Sequence, residues 1–279
     1  MSKVLHAASL RLRLAGCDTP RLDAELLACD ALNCSRTDLI SHGADIIETD
    51  VLVRYHERIT RRVAHEPVAY IIGQKQFYGG EFCVEPGVLI PRPDTEMLVV
   101  LCLDRLIGKG AARCLDIGAG TGCVAISVLH HSHECTFDTV DTSQEALQIA
   151  QHNAKSYGVA SRLVFYHGSL YDPLPQDARY DVILSNPPYI PTDDIPKLDV
   201  DVRLWEPAEA LDGGADGLDT IRAIVRQGAS RLTERGILLI EIGFGQVADI
   251  RSLCAGPGLH LVAVHNDLAG IPRVAEFAV

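Results

Sequence analysis

Leu115-Asp116-Ile117-Gly118-Ala119-Gly120-Thr121-Gly122 decides how the chain is read. An apolar run over 112–117 ends on three alternating glycines, and a helix-period segment over 121–131 opens directly behind them. A short apolar run bounded by glycine reads as a strand covered on both faces, and the segment behind it as a crossover helix. Glycines at such a turn let the backbone bend sharply and let a ligand come close to the main chain. The helix N-terminus adds free N–H donors. A dinucleotide fingerprint fails, because Cys123 stands where its third glycine belongs. A phosphate-cradling P-loop fails for want of the lysine. A strand–helix turn without a ligand is the bland alternative, and three alternating glycines weigh against it.

The same alternation continues outward. Strands are predicted at 112–117, 136–141, 162–166, 180–185, 236–242, 259–265 and 272–278, with helices at 94–107, 121–131, 143–157, 217–233 and 245–255. This predicts an α/β fold with a seven-stranded, mostly parallel sheet covered on both faces. The connection from Asn266 to Ile271 is too short for a crossover, so the last two strands form an antiparallel pair. Upstream, 1–73 reads as a bundle of four or five helices. Thr19-Pro20 suits an N-cap with proline at the first helical position, and Ser35-Arg36-Thr37-Asp38 resembles a capping box. A longer helix is expected from Thr49 to about His65. Between these regions, 74–93 is read as a β-hairpin linker, with strands over 77–84 and 88–90 around Glu85-Pro86-Gly87. The predicted domains are therefore 1–73, the linker 74–93, and 94–279.

Composition bounds the function. The 279 residues are 47% hydrophobic and 22% charged, enough to bury a full core. The net charge of −12 excludes a protein that coats nucleic acid, and 5% aromatics argues against a base-stacking platform. Residues 1–75 hold ten bases and ten acids. Residues 76–279 hold the other 15 bases and 27 acids, and with them all of the −12. Nine cysteines, an odd number without C-x-x-C spacing, indicate neither a disulfide framework nor a zinc ribbon. The opening residues lack a continuous apolar run, and nothing reaches the length of a membrane span. The expectation is a cytoplasmic protein. His130, His131, His133 and Cys135 suit no standard zinc spacing and read as a helix end and loop.

Two further features carry chemistry. Asp141 ends the second strand about 20 residues after the glycine loop, where an acid can accept hydrogen bonds from ribose hydroxyls. Its bland alternative is a solvated cap on the helix at Ser143. Ser185-Asn186-Pro187-Pro188-Tyr189 ends the fourth strand, and two prolines force the chain out at the sheet's carboxyl edge, where ligands sit. Asn186 offers an acceptor and two donors, the Pro187 carbonyl has no ladder partner, and Tyr189 offers a flat face. These groups suit a planar amide or amino group, although the tetrapeptide alone could be a plain turn.

The glycine loop, written D-x-G-x-G-x-G, resembles the motif of the seven-stranded, Rossmann-like S-adenosylmethionine-dependent methyltransferases. Asn-Pro-Pro-Tyr resembles the motif of those acting on planar nitrogen. The whole chain resembles the peptide-release-factor glutamine methyltransferase family. The likeness takes in Glu66-Pro67-Val68-Ala69-Tyr70, Leu89-Ile90-Pro91-Arg92-Pro93-Asp94-Thr95-Glu96, the Glu206-to-Leu218 stretch and Leu239-Ile240-Glu241-Ile242-Gly243-Phe244-Gly245-Gln246. It implies methyl transfer from S-adenosyl-L-methionine, leaving S-adenosyl-L-homocysteine, to the N5 amide nitrogen of the glutamine in the Gly-Gly-Gln loop of bacterial class-I release factors, modulating translation termination. It implies cofactor contacts from Gly118, Ala119, Gly120, Thr121, Gly122, Asp141, Leu170 and Asn186. Asn186, Pro187 and Tyr189 would be catalytic. Pro188, Arg92 and Glu96 would complete the substrate pocket, a hairpin-to-helix cap with a structural ion pair being the bland alternative for the last two. The family needs no metal, and the expected state is a monomer without direct nucleic-acid or membrane contact.

Two other readings compete. One is an N-methyltransferase acting on an exocyclic amino group of a nucleic-acid base, which the acidic catalytic region disfavours. The other is a non-catalytic binding module that keeps the fold. Residues 193–219 carry nine acids and two bases, a solvated loop or a face for a basic patch on the partner.

Overall fold

A computed structural model describes residues 2–41, 48–253 and 258–279. In chain order it contains α1 (Ser2–Leu14), α2 (Pro20–Leu32), α3 (Arg36–Ser41), α4 (Thr49–Val63), α5 (Val68–Ile72), β1 (Gln74–Phe77), β2 (Gly80–Cys83), α6 (Glu96–Leu106), β3 (Ala112–Ile117) and α7 (Cys123–His131). There follow β4 (Cys135–Asp141), α8 (Gln144–Ser156), β5 (Leu163–His167), β6 (Tyr180–Ser185), α9 (Val200–Trp205), α10 (Asp219–Gly228), β7 (Leu232–Glu241), α11 (Val247–Leu253), β8 (His260–Asn266) and β9 (Pro272–Ala278). Two compact units result. One is Met1–Gln74 with Asp199–Trp205, and the other is Lys75–Leu198 with Glu206–Val279.

In the first unit, Leu12, Leu27, Tyr55 and Ile59 are wholly buried at the centre. Helix α3 opens on a capping box: the Ser35 hydroxyl accepts from the Asp38 N–H at 3.1 Å, and the Asp38 carboxylate accepts from the Ser35 N–H at 3.1 Å. At α2 the expected side-chain cap is missing. The Thr19 hydroxyl instead donates to Asp23 at 2.6 Å, because that buried carboxylate is the stronger acceptor. Asp23 belongs to a buried cluster: Arg62 Nε donates to Asp23 Oδ2 at 2.7 Å, and its Nη1 lies 2.6 Å from Asp201 Oδ2. His65 Nδ1 stands 3.2 Å from the other Asp201 oxygen. Helix α9 thus joins this unit through a charge that lies far away in sequence.

The second unit is built on a sheet of order β5-β4-β3-β6-β7-β9-β8. All neighbours are parallel except β9, which runs antiparallel to both β7 and β8. The β8–β9 hairpin was legible; its insertion of β9 between β7 and β8 was not. Ile117 lies level with Val140 on one side and Ser185 on the other, so β4, β3 and β6 end together. The chain reverses its winding between β3 and β6, and in such sheets a crevice opens outside the carboxyl ends there. Apolar layers cover both faces of the sheet, one around Leu98, Ile126 and Phe137, the other around Tyr180, Leu238 and Phe277.

Two elements differ from the sequence reading. The hairpin is β1–β2, and 88–90 is not a strand. Tyr78 and Gly79 both take positive φ, 49° and 74°, which is the two-residue turn whose twist suits paired strands. The Glu85-Pro86-Gly87 signal is a turn, closed by the Val88 N–H on the Glu85 carbonyl at 3.4 Å, but no strand follows it. The helix read over 217–233 stops at Gly228, and β7 begins at Leu232 rather than 236. Gly236 is a point inside the strand, not its start. The register shifts beside it, and a Cβ there would stand 2.7 Å from the Tyr180 carbonyl.

Candidate active site

The glycine loop is tied to the end of β4. The N–H groups of Gly118 and Ala119 donate to the Val140 carbonyl at 2.8 and 3.1 Å. Gly118 and Gly120 have positive φ, 82° and 51°. A side chain at 120 would meet nothing within 4 Å, and one at 118 would meet only the Asn186 carbonyl, 3.8 Å away. Their missing side chains therefore leave open space. Gly122 serves packing instead: a Cβ there would lie 2.9 Å from Ile126 Cδ1 and 3.1 Å from Ala150 Cβ.

That open space is a cleft of about 970 Å³ lined by Gly118, Ala119, Gly120, Thr121, Asp141, Leu170, Asn186, Pro187, Pro188 and Arg92, with Asp116 and Thr95 among others. Asp141 accepts from the Gly120 N–H and the Ser143 N–H, each at 2.8 Å. The cap on α8 is the Ser143 hydroxyl, which accepts from Ala146 N–H at 3.1 Å, so Asp141 is not that cap. Leu170 sits at φ 51°, a conformation rare for a branched side chain, at the turn following β5. Asp116 is 3% exposed, and burial together with the nearby Asp141 charge pushes its carboxyl up to about 8.

At the exit of β6, Asn186 Nδ2 donates to Thr95 Oγ1 at 3.0 Å. Pro187 is buried, and no donor among the described residues reaches its carbonyl. The loop is held from behind. Gln246 Nε2 donates to the carbonyls of Tyr189 at 3.0 Å and Gly217 at 3.2 Å, and its Oε1 accepts from Gly243 N–H at 2.7 Å. The Tyr189 phenol donates to Glu241 Oε1 at 3.3 Å, and burial raises its pKa. Glu241 is 1% exposed, and burial pushes its carboxyl up to about 7 against the pull of the Thr95 and Tyr189 hydroxyls.

Three of the residues expected at the site stand outside the cleft lining: Gly122, which packs on Ile126 and Ala150, Tyr189 and Glu96. Tyr189 turns its hydroxyl to Glu241, and Glu96 Oε1 accepts the Tyr78 N–H at 2.8 Å, joining α6 to the hairpin turn. Arg92 does line the cleft, and its guanidinium pairs with buried Glu206, which also accepts from the Ile90 N–H at 3.1 Å. The acidic stretch is largely committed within the chain. Asp194 pairs with Lys197, Asp201 with Arg62, Glu206 with Arg92, Asp212 with Thr192, and Asp216 and Asp219 with Arg222. Thr95, Glu241 and Gln246 were not singled out from sequence. An acid inside the apolar run 237–242 was the available signal for Glu241.

A seven-stranded sheet of this order, with a glycine cradle after β3 and Asn-Pro-Pro-Tyr after β6, defines a methyltransferase domain. Family models for the PrmC N-terminal domain and the methyltransferase small domain match residues 3–73 and 93–243. The release factor glutamine methyltransferase of Nitratidesulfovibrio vulgaris is 39% identical over 272 residues, covering 97% of this chain and 92% of its own. That of Coxiella burnetii is 40% identical over 256 residues, covering 92% and 91%. The chain belongs to the release factor glutamine methyltransferase family. Among solved structures, a methyltransferase from Pyrococcus furiosus has a TM-score of 0.55 at 14% identity, over 80% of this chain and 99% of that one. The ribosomal protein L11 methylase of Lactobacillus delbrueckii subsp. bulgaricus gives 0.51 at 19% identity, over 70% and 83%. These two speak for the fold alone. No helix among the described residues is long and apolar enough to cross a membrane.

Proposed function

We propose that the protein transfers a methyl group from S-adenosyl-L-methionine to the side-chain amide nitrogen of the glutamine in the Gly-Gly-Gln motif of class-I peptide chain release factors. The observation that carries this reading is the Asn186 amide: its NH₂ is anchored on Thr95, so its carbonyl and that of Pro187 remain as acceptors beside the glycine cradle. Two acceptors side by side suit the two N–H hydrogens of a primary amide.

The cleft fits the cofactor. Side chains at 118 and 120 would fill the cradle, Asp141 keeps lone pairs for ribose hydroxyls, and among the described residues no cation is paired with buried Asp116. The bound cofactor supplies an electrophilic methyl group on a sulfonium. An amide nitrogen is a poor nucleophile, its lone pair delocalised into the carbonyl. Asn186 Oδ1 and the Pro187 carbonyl would hold the NH₂ in one orientation and draw on its hydrogens as positive charge develops on nitrogen. This is positioning and electrostatic stabilisation in a partly desolvated site. Asp141→Ala should weaken cofactor binding by on the order of 10-fold, as loss of a charge-assisted hydrogen bond would. Calorimetric titration checks this, and an unchanged affinity would remove Asp141 from the ribose site.

Residues 1–73 are assigned to gripping a second part of the protein substrate, since a single loop offers little contact area. The deciding experiment offers release factor, rRNA and DNA side by side with methyl-labelled cofactor, followed by mass spectrometry of the release-factor loop. One added methyl on the Gly-Gly-Gln glutamine is expected. Label in rRNA or DNA with none in the protein would favour the exocyclic-amine reading instead.

A further inference from the structure

We propose that Phe244 and Leu268 form an apolar docking face beside the cleft, on which the release-factor domain carrying the Gly-Gly-Gln loop is seated. The inference rests on the function proposed above and names the surface by which that substrate is held.

Both residues lie at the carboxyl edge of the sheet. Phe244 stands in the loop that leaves β7. Strand β9 runs antiparallel to β7, with Val274 level with Glu241, and β8 runs antiparallel to β9, so the turn over 267–271 comes back to that same edge. Leu268 stands in this turn. Phe244 is 81% exposed and Leu268 is fully exposed. Single exposed apolar side chains are common on protein surfaces. These two differ in how they are held.

Each is carried on a loop whose polar groups are tied by one side chain. Beneath Phe244, Gln246 Oε1 accepts from the Gly243 N–H, and its Nε2 donates to the carbonyls of Tyr189 and Gly217. Gly245 has a φ of 86°, and a Cβ on Gly243 would stand 3.1 Å from Tyr189 Cδ2. Glycine on either side of Phe244 therefore lets the loop press against the exit of β6. Beside Leu268, Asp267 Oδ1 accepts from the N–H groups of Ala269 and Ile271, each at 2.9 Å, and its Oδ2 accepts from Arg273 Nε at 3.1 Å. The Ile242 N–H donates to the Arg273 carbonyl at 2.8 Å, which joins the two loops. An aromatic and a branched aliphatic side chain are thus held out in water on braced loops, with little backbone order left to lose on binding. That is how interface anchors gain affinity.

Position and charge name the occupant. Gly243 packs on Tyr189, so a protein that places a loop in the cleft brings its flanking surface over this edge. A Gly-Gly-Gln loop offers one side chain beyond hydrogen, and the affinity must come from the surface around it. Arg273, on the strand that leaves the second loop, is engaged by Asp94 at 2.9 Å and Asp267 at 3.1 Å. A cation committed to two carboxylates has little left for a phosphate backbone. A folded protein with an apolar patch beside its loop fits this edge, and a nucleic acid does not.

The test follows methyl transfer to intact release factor by Phe244→Ser and Leu268→Ser in the full chain, with Ile107→Ser as control. Ile107 is 79% exposed but precedes β3, at the amino edge of the sheet. The KM for release factor should rise about 10-fold in Phe244→Ser and a few-fold in Leu268→Ser, with kcat and cofactor affinity unchanged. These losses should persist at high salt, since no charge is removed. Ile107→Ser should match the wild type. A wild-type KM in both edge variants, or an equal rise in Ile107→Ser, would overturn the inference. So would a wild-type dimer that Phe244→Ser dissociates, since the face would then belong to a second copy of the chain. If the wild-type protein methylates only rRNA or DNA, the proposed function fails and the docking face falls with it. If it methylates release factor with a KM indifferent to Phe244 and Leu268, the function stands and only the docking face is lost.

Discussion

Asn186→Ala should lower methyl transfer by on the order of 10²-fold or more, with cofactor affinity changed only a few-fold. The size follows from what the side chain does. Its NH₂ is fixed on Thr95, so the carbonyl is preorganised as an acceptor and needs no reorganisation during reaction. Removing it leaves the substrate amide held by the Pro187 carbonyl alone, free to rotate away from the geometry needed for attack. The fold should survive, because Asn186 is only half-buried and the loop is clamped through Tyr189 by Gln246 and Glu241. Single-turnover rates with labelled cofactor, beside calorimetric titration, separate chemistry from binding. Near-normal turnover in the variant would exclude the proposed role of Asn186.

The second large effect is on stability. Arg62→Ala should destabilise the first unit by about 3–5 kcal/mol, since it strands a buried carboxylate. The Arg62 side chain is 5% exposed and holds Asp23, also 5% exposed, together with Asp201 and the Glu66 carbonyl at 3.2 Å. The loss comes from the uncompensated charge on Asp23 more than from the pair's own strength. The double variant Arg62→Met with Asp23→Leu should therefore recover much of it, because an apolar pair of similar volume carries no desolvation penalty. Urea unfolding followed through Tyr55, the buried tyrosine of α4, supplies the measurement. A midpoint unmoved in Arg62→Ala would show that the cluster is not holding this unit together.

The residues themselves explain why some features could be read from the chain and others not. Glycine alternation, the prolines after Asn186 and the acid ending β4 are local, and their geometry is enforced by backbone sterics within a few residues. They set the cradle, Asp141 and the loop exit on one sheet edge. The hairpin turn lies elsewhere than the sequence suggests because Tyr78 is a bulky residue at positive φ, which gives no local turn signal. Gly236 misled for the opposite reason: a glycine inside a strand reads as a boundary unless the bulge it permits is visible. Glu96 and Arg92 were read as one wall of the pocket, yet they find separate partners, the Tyr78 N–H and Glu206, neither adjacent in sequence.

The charge pattern shows the same division. Sequence located the whole −12 beyond residue 75 and suggested an acidic face over 193–219. In the structure Asp194, Asp201 and Glu206 are paired with basic groups within the chain, and Asp216 and Asp219 share Arg222, so the stretch offers less free negative charge than its nine acids suggest.

By itself, the sequence determined the alternating architecture, the glycine cradle and the proline-forced exit of the loop after β6, because each rests on backbone constraints that act over a turn or two. The tertiary structure alone decided the insertion of β9, the recruitment of 199–205 to the helical unit, and the hydrogen bonds that join Asn186 to Thr95 and Tyr189 to Glu241. Those depend on which donors and acceptors from distant segments are buried together, and desolvation, which makes such pairings obligatory, exists only once the chain has folded.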